Sequence, residues 1–247
     1  MDTTYTARFE IPDLIARGRT NLLKCPTYRS GALAAPSSGT VSIYAASNEA
    51  IISAAAVTIS GSIAQYSLTS GTLSGRSVEE GWRVEWALTM PDGVVHTFRN
   101  DGALVRARLD PVITDADIFR RHPDFDPADT ASVVSAGTDY QDHLDEAWIE
   151  IQLSLISRGN RPNLIISPSA LRLLHLYSAL ELICRNFSSS SGDGSRWIAL
   201  SETYREKARS AWGDLNFVYD SDDDGSADDS DRRRAVSSSI WLGSGLR

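Results

Sequence analysis

Between Asp220 and Asp231 the chain places carboxylates at the first, third, fifth, ninth and twelfth positions of a twelve-residue stretch, as Asp220, Asp222, Asp224, Asp228 and Asp231, with Gly225 sixth. That is the ligand spacing of an EF-hand-type calcium loop, in which alternate side chains turn inward and the glycine permits the sharp bend. Three features temper the match. Position twelve is Asp, shorter than the Glu that chelates through both oxygens. The preceding Leu215-Asn216-Phe217-Val218-Tyr219 has the composition of extended chain rather than of an incoming helix, and the loop has no second copy to pair with. The expectation is a weak, structural Ca2+ site. The competing reading is a solvated acidic run, since eight acids fall in residues 214–247 and Arg232, Arg233 and Arg234 follow to neutralise them locally.

Elsewhere the residue types that do chemistry are scattered. The four histidines, His96, His122, His143 and His175, show no His-x-x-x-His spacing, and no nucleophile elbow or phosphate-cradling glycine loop is present. His175 falls in an apolar stretch and is expected to be a hydrogen-bonded core residue. Asp139, Asp142, Asp145, Glu146 and Glu150 line one side of a helical segment, where a solvated or interface face is the expectation, not acid–base work. Cys25 and Cys184 lie too far apart to suggest a metal or redox pair, and both are expected as buried apolar side chains. No enzymatic centre is expected.

The elements that must position these residues fall into two halves of different period. From Ser30 to Gly75 the only charged residue is Glu49, and short β-favouring runs such as Val41–Tyr44 and Val57–Ile59 alternate with turn residues. In Trp82–Met90 every second residue is large and apolar, so Trp82, Val84, Trp86, Leu88 and Met90 share one face of a strand. Pro91-Asp92-Gly93 turns the chain into a partner strand over Val94–Phe98, and Asp101-Gly102 is expected to turn it again into Leu104–Leu109. These spacings predict an antiparallel, immunoglobulin-like β-sandwich over residues 1–110.

After Pro111 the period becomes helical. Thr114 and Asp117 form a capping box for a short helix. A long helix is expected over about Thr130 to Ser157, with Tyr140, Leu144, Ala147, Trp148, Ile151 and Leu155 as its stripe, closed by Gly159. Ser167 and Pro168 suit the N-cap and first position of a helix running through Leu171–Phe187, apolar nearly all round and so the most buried. Ser188–Gly194 is expected as a connection, and Arg196–Trp212 as the last helix. The fold class is therefore α+β: a sandwich, a helical bundle over residues 111–213, and an acidic loop with an extended tail over 214–247.

Composition sets outer bounds. Residues 1–110 carry ten acids and ten bases, so the net charge of −8 belongs wholly to the remainder, which argues against a general nucleic-acid binder. The opening Met1–Tyr5 has neither a basic region nor an apolar core, so no signal peptide is expected. No window approaches a membrane span, and synthesis in the cytoplasm as a soluble protein is expected.

The run from Asp115-Ala116-Asp117-Ile118 through Leu144-Asp145-Glu146-Ala147-Trp148, the Ser167–Arg172 helix start, the Trp197–Trp212 helix and the acidic segment leading into an Arg-bearing tail resemble tailed-phage head-to-tail adaptor (connector, neck) proteins. The resemblance spans about Ile113 to Arg247 and rests on layout, not on a diagnostic motif; the β-domain departs from the minimal, all-helical adaptor. It implies a virion protein without catalysis, forming a ring of about twelve subunits. The ring would lie beneath the portal protein, contact a downstream neck or tail protein and line the channel for passing double-stranded DNA without recognising it. The family's extended C-terminal segment maps onto Arg232–Arg247, where Arg232, Arg233, Arg234, Ile240, Trp241 and Leu242 are the expected docking residues. The alternative from another class is a calcium-dependent β-sandwich module that recognises a protein or sugar ligand.

Overall fold

The computed structural model describes residues 5–129, 132–134, 138–190, 194–220 and 225–226. The chain is α+β and divides into two compact units, Met1–Arg108 and Leu109–Arg247. Among the described residues no helix is long and apolar enough to cross a membrane.

Among the described residues the first unit holds ten strands: β1 (Tyr5–Ala7), β2 (Asp13–Ala16), β3 (Asn21–Arg29), β4 (Ala32–Leu33), β5 (Ser38–Tyr44), β6 (Ala50–Ala56), β7 (Thr58–Ser60), β8 (Ile63–Leu68), β9 (Glu79–Thr89) and β10 (Val95–Val105), with one helical turn, α1 (Ser70–Leu73), between β8 and β9. One sheet runs β1-β3-β8-β7, with β4 folded back onto β3, and the other runs β2-β10-β9-β5-β6. In sequence order the first is the A-B-E-D sheet of an immunoglobulin sandwich and the second its G-F-C sheet extended by a C′ strand. Every pairing is antiparallel except that of β2 with β10.

The sheets share one core, because alternate residues on each point inward. Trp82, Val84, Trp86, Leu88 and Met90 are all buried, as their period of two requires, and they pack with Leu23 and Cys25 of β3 and Val41 and Ile43 of β5. Cys25 stands on the B strand, where immunoglobulin domains carry one half of their inter-sheet disulfide. Here it is a free, buried thiol, and the F-equivalent strand β9 turns indoles inward instead.

Asp101-Gly102 is not a turn. β10 continues through it to Val105, with only a shift of register between Gly102 and Ala103. The glycine answers a different need: a Cβ there would lie 2.8 Å from the carbonyl oxygen of Asp13, so the close parallel approach of β2 leaves no room for a side chain. Leu109, expected at the end of a strand in this unit, packs into the core of the second.

The second unit contains α2 (Asp115–Arg121), α3 (Gln141–Ser157), α4 (Arg172–Ser190) and α5 (Gly194–Gly213), with short 3-10 turns at Pro123–Phe125, Pro162–Leu164 and Pro168–Leu171. The capping box forms, with the Thr114 N–H donating to Asp117 Oδ2 at 3.1 Å. α3 is shorter than its expected span: Ser132–Val134 and Thr138–Tyr140 are not helical. The apolar stripe that ties this helix to the core begins only at Tyr140, and the preceding Ser, Val, Gly and Thr are weak helix formers. At its other end α4 absorbs Ser188–Ser190, which had been expected as connection.

Phe125, Tyr140, Leu144, Ile183, Trp197 and Tyr204 centre one part of the bundle core, and Trp148, Ile151, Leu155, Leu171 and Leu174 a second. His175 is completely buried between α3 and α4 and bonds through Nε2 to the Leu144 carbonyl at 2.9 Å, as a core histidine should; its Nδ1 is buried and meets no partner among the described residues. Desolvation holds its pKa below the ordinary histidine value.

Candidate functional site

The segment expected to carry function leaves α5 at Gly213 and is pinned immediately. Ile166 N–H donates to the Val218 carbonyl at 3.0 Å, and Asp220 N–H donates to the Leu164 carbonyl at 2.8 Å. Ile165 and Tyr219 thereby form an antiparallel bridge. Residues 215–218 are not helical and Tyr219 sits in the bridge, and Leu215, Phe217 and Tyr219 pack on the core around Trp148 and Leu155.

Two side-chain contacts lock this bridge. Val218 N–H donates to Ser167 Oγ at 2.8 Å, and Arg161 N–H donates to the Tyr219 hydroxyl at 3.0 Å. Ser167 and Pro168 stand at the N-cap and start of the 3-10 turn that leads into α4, as expected, but the Ser167 hydroxyl makes no cap bond and is spent on the C-terminal segment. The bridge explains why: Val218 N–H has no strand partner at that point, and the hydroxyl supplies the missing acceptor.

Asp220 ends the bridge as a buried residue, and Gly225 N–H donates to its Oδ2 at 2.7 Å. Gly225 has φ +91°, a conformation that glycine adopts without the strain a Cβ would bring. The first and sixth positions of the acidic stretch are thus joined by a hydrogen bond. Asp222, Asp224, Asp228 and Asp231 lie outside the described residues, as do Arg232, Arg233, Arg234, Ile240, Trp241 and Leu242. Among the described residues no group of three or more His, Cys, Asp or Glu side chains is placed to hold a metal ion.

A groove of about 300 Å³ opens between α3, α4 and α5, floored by Ile151, Leu174 and Trp212. Its charges are largely spent on one another. Glu181 accepts from Arg205 Nη2 at 2.8 Å and stands 3.7 Å from Arg185 Nη1. The Arg158 guanidinium sits 4.3 Å over the Trp212 ring. Burial first, and then the charge of Glu146, raises the Glu150 carboxyl above its usual range.

A third cluster was not foreseen. At the end of α2 and on the adjoining faces of α4 and α5, Tyr177 and Tyr204 stack with centroids 6.2 Å apart. Lys207 Nζ lies 5.8 Å from the first ring and 5.2 Å from the second, and the Arg121 guanidinium is 6.0 Å from the first. Tyr204 and Lys207 are three residues apart, so their common face was readable in the sequence. That Tyr177 and Arg121 join them depends on how three helices pack.

Comparison of the chain with known protein families, with curated proteins and with solved structures finds no match in any of the three.

Proposed function

We propose that this chain is a structural virion protein of the head-to-tail adaptor class, a ring subunit beneath the portal that links capsid to tail and lines the channel through which double-stranded DNA passes. The layout of the helical half and the Arg-bearing tail support this reading. The observation that carries it is the bridge between Ile165 and Tyr219, because it makes the start of the C-terminal extension part of the folded bundle. A docking arm is more effective when it leaves from a fixed point, since less freedom is lost on engagement. Ile240, Trp241 and Leu242 are the anchor, with Arg232, Arg233 and Arg234 preceding them in sequence.

In this role the chain performs no catalysis. It is a monomer or weak oligomer alone and becomes a ring of about twelve on its portal partner. Cosedimentation with the portal and neck proteins of the same virus, followed by negative-stain imaging, tests it. Rings on the portal are the expected result, and absence of binding to every portal and neck protein sinks the reading.

The second reading is a calcium-dependent module recognising a protein or sugar ligand, favoured by the immunoglobulin strand order and by the hydrogen bond from Gly225 N–H to the Asp220 carboxylate. Compact monomers that retain a glycan or protein ligand only with Ca2+ present would select it.

A further inference from the structure

The bundle carries two faces whose charges are not neutralised by its own described residues. On α3, Asp142, Asp145, Ile149, Leu153 and Ile156 follow one another at helical spacing, with Glu146 beside them. Asp142, Asp145 and Glu146 are exposed and make no ion pair among the described residues. Further along the same face Leu153 is 42% exposed and Ile156 39%. The helix is thus acidic at one end and apolar at the other.

The second face has the opposite polarity. Arg121 and Lys207 are held against the stacked Tyr177 and Tyr204 rings, and neither meets a carboxylate among the described residues. Neighbouring cations are spent: Arg120 and Arg172 pair with Asp117, Arg196 with Asp124, and Arg205 with Glu181. One turn before Tyr177 on α4, Leu173 is 56% exposed in a helix otherwise largely buried. Two fixed cations and an apolar side chain therefore stand together.

We propose that the exposed face of α3 docks on the Arg121–Tyr177–Lys207 face of a second copy of this chain. Asp142 and Asp145 meet the two cations, and Leu153 and Ile156 cover Leu173. Because the two faces are different, the contact is head-to-tail and leaves one face of each kind free, the geometry that closes into rings or extends into filaments. The partner is an acidic protein face and not a nucleic acid, because the stacked tyrosine rings are already flanked by cations and by each other, whereas single strands need free ring faces for their bases. The chain itself supplies the complementary charge, with its net −8 residing outside residues 1–110. The inference does not require a portal, so it can fail while the adaptor reading stands, and the reverse.

Sedimentation velocity over a concentration series at low and at high salt tests it with the full chain. The wild type is expected to self-associate at low salt and to dissociate as salt screens the pairs. Arg121→Gln/Lys207→Gln on one side, and Asp142→Asn/Asp145→Asn on the other, should each weaken self-association about tenfold or more. Mixing the two variants is decisive: each keeps the face the other lacks, so the mixture should form a heterodimer and stop there. Circular dichroism melting confirms that both remain folded, and Leu153→Ser is a further variant that touches no charge. A wild type monomeric at every concentration, variants that associate as it does, or a mixture without heterodimer would each overturn the proposal. So would loss of duplex-DNA retention in the Arg121/Lys207 variant with self-association unchanged, which would assign the cations to phosphate.

Discussion

At the scale of single residues, two desolvated titratable groups make the units respond to acid in opposite senses. The Asp13 carboxyl, desolvated between β2 and β10 and bonded by Asn100 Nδ2 at 2.9 Å, is pushed up to about 6 from 3.8. A raised carboxyl pKa means that the folded state prefers the proton, so the cost of about 3 kcal/mol is present in full above pH 6 and is relieved as pH falls toward 3.8. Asp13→Asn should therefore stabilise the sandwich at pH 8 by about 1–3 kcal/mol and do little at pH 4, read by denaturant unfolding at both values. His175 has the other sign. Its folded pKa lies below 6.5, so the unfolded chain takes up the proton first and stability is lost as pH drops below 6.5. His175→Gln, which keeps a donor for the Leu144 carbonyl, should flatten that acid limb of the bundle's melting profile. An unchanged limb would show that other groups govern it.

At the scale of elements, the bridge between residues 164–166 and 218–220 is the contact whose loss should be most local. Ser167→Ala removes the acceptor of Val218 N–H and leaves a part-buried donor without a partner, costing about 1–2 kcal/mol. The readout is hydrogen exchange: the Val218 and Asp220 amides should lose protection while those of α4 keep theirs. The same element begins the acidic stretch, whose single loop should bind Ca2+ weakly, with Kd about 10⁻⁴ to 10⁻³ M. Titration calorimetry on the wild type and on Asp222→Ala/Asp224→Ala decides this, and identical heats would leave the acids as a solvated run. In the sandwich, Gly102→Ala sets a methyl against the Asp13 carbonyl and should destabilise by about 1–3 kcal/mol, most visibly as loss of amide protection in β2.

At the scale of the whole molecule, the tail is predicted to be separable from the folded units. Among the described residues both units already hold filled cores, so deleting residues 232–247 should leave the melting temperature nearly unchanged while abolishing incorporation into virions. Trp241→Ala alone should weaken assembly strongly, as expected of an apolar anchor whose burial supplies binding energy. Infectious particles assembled from the truncated chain would make the tail a dispensable linker.

The sequence by itself determined the α+β class, the sandwich before the bundle, the inward face of β9 and the stripe of α3. Each follows from a period of two or of 3.6 that neighbouring residues impose on themselves. It misjudged Asp101-Gly102, because a glycine placed for a turn and one placed for the close approach of β2 have the same letter. It placed Ser167 and Pro168 at the start of a helical turn, where they stand, but could not show the partner of the hydroxyl, which is the Val218 N–H, 51 residues away. Only the tertiary structure decided which of two pleated sheets each strand joined, which cations meet no carboxylate among the described residues, and that Asp220 is buried. Periodicity is a property of adjacent residues, whereas a free charge or a borrowed acceptor is defined by what the rest of the chain brings within about 3 Å of it.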